Sequence, residues 1–173
     1  MNKIIVIEKN IRNIEVEGVP INGKLDKIEF NGNDVNVVDY KTGKVENGLK
    51  KLNPHNDKEP LGGDYWRQIV FYKLLVDADK TKKWQMLSGE IDFVERDKKT
   101  NDFVKIKLFV SDQDIEIAKQ QIKDTYAKIM NHEFSKGCEE ADCKWCNFVK
   151  NTQYRKQINL QPTDEQAADG LSD

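Results

Sequence analysis

The sequence predicts a mixed α/β domain around one central sheet, and three features point there. Over the first 40 residues, segments rich in β-branched side chains are separated by turn signals. Later, Tyr65 to Val76 and Ser111 to about Asn131 carry apolar residues at helical spacing. Strand-like and helix-like stretches also follow one another without any internal repeat, as expected of helices packed on a single sheet. At 173 residues the chain suits one domain with a proper core. Its 38% hydrophobic and 34% charged residues describe a soluble, rather polar domain. The net charge of -2 gives no global nucleic-acid signature, although basic residues can be confined to one groove. No run approaches a membrane span and the start, Met1-Asn2-Lys3-Ile4, lacks a signal-peptide pattern, so a cytoplasmic location is expected.

Taken in order, Lys3 to Glu8 reads as a first strand, and Ile11 to Val19 as a second that stops at Pro20. Ile21 to Phe30 follows, with Ile21, Gly23 and Leu25 on one face and Asp26, Ile28 and Phe30 on the other. Asn31-Gly32-Asn33-Asp34 is a strong turn signal, and Val35 to Tyr40 is apolar enough for a buried strand. Residues 43–63 read as a long polar loop; its Lys44, Lys50, Lys51 and Lys58 either meet a phosphate backbone or are simply solvated. Tyr65 to Val76 is a helix with Asp64 as N-cap, and Gln68 and Tyr72 share one face of it. Trp84 to Arg96 and Phe103 to Val110 are strands joined by a turn, and Ser111 or Asp112 caps the last helix. The expected domain spans 1–150, and 151–173 form a polar tail expected to be disordered.

Chemistry concentrates at the second hairpin. Strand, turn and strand bring Asp26 and Asp39 towards each other, with Lys41 two residues beyond. Two carboxylates and an ammonium on neighbouring strands are costly unless a metal ion or phosphate joins them. Magnesium is held by one or two carboxylates and keeps waters for exchange; it can polarise a phosphodiester and lower the pKa of a bound water. A lysine beside it can orient that water and offset developing negative charge.

Gly23-Lys24-Leu25-Asp26-Lys27-Ile28, Val38-Asp39-Tyr40-Lys41-Thr42-Gly43 and Gln68-Ile69-Val70-Phe71-Tyr72 resemble the successive motifs of the PD-(D/E)xK nuclease superfamily. The match is most similar to RecB-like nuclease domains at the C-terminus of UvrD-like helicases, and it covers about residues 20–150. The resemblance implies a restriction-endonuclease-like mixed sheet flanked by helices. It also implies that Asp26, Asp39 and the Tyr40 main-chain carbonyl bind Mg²⁺ or Mn²⁺, with Lys41 as catalytic lysine. Gln68 and Tyr72 would support DNA or the metal's surroundings. The implied activity is an exonuclease-type deoxyribonuclease on DNA, single-stranded DNA foremost, working with a DNA-repair helicase. Family members usually carry a helix with a histidine or acidic residue ahead of the first strand. This sequence starts almost on the strand, so the N-terminal helix is expected to be missing, with Glu8 and Glu15 the nearest acidic substitutes.

Cys138-x4-Cys143-x2-Cys146 resembles the cysteine cluster that ligates a 4Fe–4S centre in several of these nucleases, but the fourth cysteine is not in this chain. His132 could complete a zinc site instead, and three reduced thiols without metal remain open. Trp145 and Phe148 are expected to pack locally and His55 to be solvated. The competing functional reading is a catalytically silent domain of the same fold, a DNA-binding or docking module stabilised by a Cys-bound metal.

Overall fold

A computed structural model describes residues 4–133, 137–138, 140–148 and 150–151. The tail expected from residue 151 onward therefore lies, from 152, outside the described residues. The chain forms two compact units, one running to Ala127 and one from Lys128.

The first unit is a five-stranded mixed sheet in the order β1-β2-β3-β4-β5. Its strands are β1 (Ile4–Val16), β2 (Val19–Asn31), β3 (Asp34–Lys41), β4 (Gln85–Arg96) and β5 (Phe103–Leu108). All neighbours are antiparallel except β3 and β4. A parallel pair needs a crossover, and the main helix α2 (Asp64–Ala78) lies within it. Preceding it are a short helix, α1 (Val45–Leu49), and a 3₁₀ turn at Lys50–Leu52. The last helix, α3 (Asp112–Met130), begins with a reciprocal cap: the Asp114 N–H donates to Ser111 Oγ, and the Ser111 N–H donates to Asp114 Oδ2.

Several expected boundaries move, each for a local reason. The two strands expected before Pro20 are one strand, β1, which turns at Glu17 and Gly18 and not at the proline. Both turn residues have positive φ (52° and 77°), the requirement of a two-residue hairpin turn whose twist matches its strands. Pro20 is accommodated as the second residue of β2, opposite Glu15. The break seen near Ile11 is a bulge: Ile11 pairs with Gly23 and Ile14 with Ile21, leaving Asn13 at φ 59° and bonded to Asn22. The loop at 43–63 is partly helical because Val45 is buried and Gly48 lies against Phe93 and Tyr65. Asp64 is the first helical residue and the cap position is Gly63; the aspartate instead pairs with Arg67. His55 is half-buried, 6.0 Å from the Trp66 ring, and not merely solvated.

The core forms where α2 lies on the sheet. Ile69, Val70, Leu75 and Val76 meet Val35, Val37, Ile28, Ile91 and Phe93, all at most 2% exposed. Odd-numbered residues of β3 face α2, so Val35 and Val37 enter the core and Asp39 and Lys41 follow on the same side. The opposite face is polar: Asp92 binds Lys105 at 2.5 Å, and Ser88 donates to Asn36. A shallow cavity there, lined by Glu29, Asn36, Ser88, Glu90 and Lys107, contains none of the expected site residues. Among the described residues no helix is long and apolar enough to cross a membrane.

Leu75 is fully buried between α2 and the sheet. Leu75→Ala is expected to destabilise the domain by about 3 kcal/mol, the usual cost of a large-to-small change in a close-packed core. Urea unfolding checks this, and a loss below about 1 kcal/mol would show that α2 is not the keystone of the core.

Candidate active site

The site lies where β3 emerges from the core at the first half of α2. Asp39 is the last buried residue of the strand, only 2% exposed, and its carboxylate is engaged from two directions. The Tyr72 hydroxyl donates to Asp39 Oδ1 at 2.8 Å, and the Lys41 ammonium stands 2.5 Å from Oδ2. That second contact is an ion pair without hydrogen-bond alignment, so Oδ2 is a buried carboxylate oxygen with no hydrogen bond. Lys41 Nζ donates to Gln68 Oε1 at 2.6 Å, and Gln68 Nε2 donates to the Tyr72 hydroxyl at 2.7 Å. Lys41, Gln68, Tyr72 and Asp39 therefore close a ring of polar contacts around one ammonium and one carboxylate.

Asp26 joins from β2. Lys27 pairs with Val38 across the antiparallel ladder, which sets Asp26 beside the end of β3. Its Oδ2 accepts the Tyr40 N–H at 3.1 Å, anchoring the carboxylate one residue from Asp39. The turn that aligns the two strands is closed by the pair Asn31–Asp34, with Gly32 at φ 65°. Burial raises the Tyr72 phenol above its ordinary pKa, helped by its hydrogen bond to Asp39 and by the nearby negative charges of Asp39 and Asp26. Tyr72 thus stays a proton donor to Asp39 at any physiological pH.

The structure brings together Asp26, Asp39, Lys41, Gln68 and Tyr72, all five anticipated from the sequence, and half-exposes Tyr40 at their edge. Neither acidic substitute for an upstream ligand joins them: Glu8 binds Lys24 at 3.1 Å, and Glu15 lies at the far end of the hairpin opposite Pro20. Two further residues escaped sequence reasoning. Glu95 accepts the Gly43 N–H at 2.6 Å and so ties the chain after Lys41 to β4. Tyr65 offers its ring to Lys41, whose Nζ lies 4.8 Å from the ring centroid. The helical spacing of Tyr65 and Gln68, three residues apart, was the available signal.

The donor set fits a divalent cation. Carboxylate oxygens are the ligands hard cations prefer, and Asp39 Oδ2 is buried with charge beside it but no hydrogen bond.

In the second unit, the Sγ atoms of Cys138, Cys143 and Cys146 lie within 4.8 Å of one another, and those of Cys138 and Cys146 are 3.4 Å apart. Thiolates on one tetrahedral zinc, at Zn–S of about 2.3 Å, are spaced about 3.8 Å apart, so the trio suits a single ion. His132 is not a member of the group. Trp145 and Phe148, expected to pack locally, are 80% and 66% exposed. Backbone N–H groups of Cys146 and Trp145, together with the other two thiols, lower Cys143 to about 7, whereas its thiol neighbours push Cys138 up against the backbone N–H of Glu140.

The fold and the site together define a restriction-endonuclease-like α/β domain: a mixed sheet with helices, carrying carboxylates and a lysine at the end of its parallel pair. The sequence matches the PD-(D/E)XK nuclease superfamily over residues 3–150, and the chain belongs to that superfamily, whose members are generally metal-dependent nucleases. No curated protein matches the chain. Among solved structures it is similar to one titled "Crystal structure of SSO0001", at 17% identity and a TM-score of 0.47. The similarity covers 84% of this chain and 58% of that one, so the chain spans less than two thirds of that protein's length.

The cysteine shifts give a direct expectation. In metal-free protein at pH 7.5, Cys143 is above its lowered pKa and largely thiolate, while Cys138 is protonated. Timed alkylation read by peptide mass spectrometry should modify Cys143 first; equal rates at both positions would contradict the electrostatics.

Proposed function

We propose that this chain is a metal-dependent DNA nuclease domain of the RecB-like type, acting by phosphodiester hydrolysis within a DNA-repair helicase–nuclease. The observation that carries the reading is the Asp39 carboxylate: buried, fixed by Tyr72, with one oxygen lacking a hydrogen bond beside the Lys41 ammonium. In this reading Asp26, Asp39 and the Tyr40 carbonyl hold Mg²⁺ or Mn²⁺, which when bound supplies Lewis acidity and a water of lowered pKa. Tyr72 orients Asp39 by donating to Oδ1. Gln68 takes the Lys41 ammonium on its amide oxygen and keeps the side chain from folding away. Lys41, cationic and fixed, orients the attacking water and balances charge that builds on the phosphate. The expected substrate is DNA, single-stranded foremost, and the expected mode is exonucleolytic. The three cysteines hold a metal in a separate element: zinc by their spacing here, or a 4Fe–4S centre if a fourth ligand comes from elsewhere.

A second reading has one observation in its favour. Among the described residues, no group of three carboxylate or histidine ligands forms at the site, since Asp26 and Asp39 stand there as a pair. A domain of this kind could bind DNA or dock a helicase without cutting.

Asp39→Asn preserves the acceptor for Tyr72 but removes the charge, and Lys41→Ala removes the ammonium. Each is expected to lower cleavage of single-stranded DNA in Mg²⁺ or Mn²⁺ at least a hundredfold, with an unchanged circular dichroism spectrum. Undiminished cleavage by both variants would sink the nuclease assignment. Tight DNA binding by the wild-type protein with no cleavage across a metal series would select the silent module.

A further inference from the structure

Three groups surround the Lys41 ammonium: an ion-pair partner, a hydrogen-bond acceptor and an aromatic ring. One is Asp39 Oδ2 at 2.5 Å, one is Gln68 Oε1 at 2.6 Å, and the third is the face of the Tyr65 ring, with the centroid at 4.8 Å. The same ring receives a second ammonium, that of Lys51, at 5.1 Å. Two like charges gather on one aromatic side chain because the backbone delivers them there. The turn at Lys50–Leu52 is docked on the start of α2: the Gly63 N–H donates to the Asn53 carbonyl at 2.8 Å, and Gly63 lies so close to the Lys51 carbonyl that no side chain fits between them. Tyr65 itself is fixed by Phe93, 6.5 Å between ring centroids, and by contact with Gly48. The ring is thus held by the core on one side and offers its electron-rich surface to two lysines.

We infer that Tyr65 is a positioning residue for Lys41, holding its ammonium on the ring face at the Asp39 carboxylate and seating Lys51 beside it as a second cation for the phosphate. This rests on the nuclease reading above and adds to it a residue whose action depends on the electron density of an aromatic ring. A ring face attracts a cation without neutralising it, unlike a further carboxylate, so Lys41 remains available to a phosphodiester while its long, flexible stem is restrained. Lys51, on an exposed turn, meets the substrate anion and not the metal.

The test separates ring electronics from packing. Tyr65→Phe keeps the ring and should retain kcat within about twofold, whereas Tyr65→Leu should lose about tenfold in kcat on single-stranded DNA, the scale of a partly desolvated cation–π contact. Phenylalanine analogues carrying one, two and three ring fluorines at position 65 keep the shape and drain the ring, and kcat should fall stepwise along that series. A flat series overturns the proposal even if Tyr65→Leu is impaired through folding. Lys51→Ala should raise KM about threefold to tenfold with kcat nearly unchanged, and an unchanged KM removes Lys51 from the role. A second readout needs no catalysis: the ε-methylene protons of Lys41 should be shifted upfield by the ring in the free wild-type protein and in Tyr65→Phe, and should return to ordinary values in Tyr65→Leu. Active protein without that shift overturns the proposal. Protein that shows the shift but cleaves no DNA overturns the nuclease reading instead.

Discussion

One buried carboxylate organises the functional half of this molecule. Asp39 sits on the sheet face that packs against α2, in line with Val35 and Val37, where an apolar side chain would otherwise stand. An ionised group taken out of water is expensive unless it is paired and hydrogen-bonded, and much of the surrounding polar structure answers that cost. Tyr72 reaches Asp39 from α2, Lys41 folds back on it from the same strand, and Gln68 links the two partners. Solvation is still incomplete, because Oδ2 has charge beside it but no hydrogen bond.

The rest of the fold serves that position in two ways. The parallel pairing of β3 with β4 requires a crossover, and the crossover carries Tyr65, Gln68 and Tyr72 on one side of a single helix. The tight turn at Gly32 sets the antiparallel register that brings Asp26 to the Tyr40 N–H. Hydrophobic packing of Ile69, Val70 and Leu75 then fixes the helix against the sheet, so the polar ring inherits its geometry from the apolar layer beneath it. The cysteine trio belongs to the other unit, where a four-residue and a two-residue gap bring the three thiols together.

Much of this was legible in the residues. The nearly continuous apolar character of Val35 to Tyr40 identified a buried strand, an odd place for an aspartate followed by a lysine. The turn at Asn31-Gly32 marked the hairpin, and the four-residue spacing of Gln68 and Tyr72 set them on one helix face. What misled was punctuation. Pro20 looked like a strand end, but a proline is tolerated near the start of a strand, and the true turn used Glu17 and Gly18. Residues 43–63 looked like a loop because glycine, proline and lysine dominate them, yet Val45 is buried and Gly48 leaves room for the Phe93 and Tyr65 rings. Short-range composition carries no information about a distant ring that will occupy the space.

The sequence by itself determined the hairpin that carries Asp26 and Asp39, the main helix and the strands and helix after it, and the types of group available for chemistry. Those follow from periodicity, from turn residues and from the chemistry of side chains, all local properties. Only the tertiary structure decided which partners those groups find. Tyr65 is 24 residues from Lys41 and Glu95 is 52 from Gly43 along the chain, and their meeting depends on how α2 and β4 pack on β3. The cost of burying Asp39 and the restraint of Lys41 are set by that packing, because desolvation and cation–π attraction act through space and not along the chain.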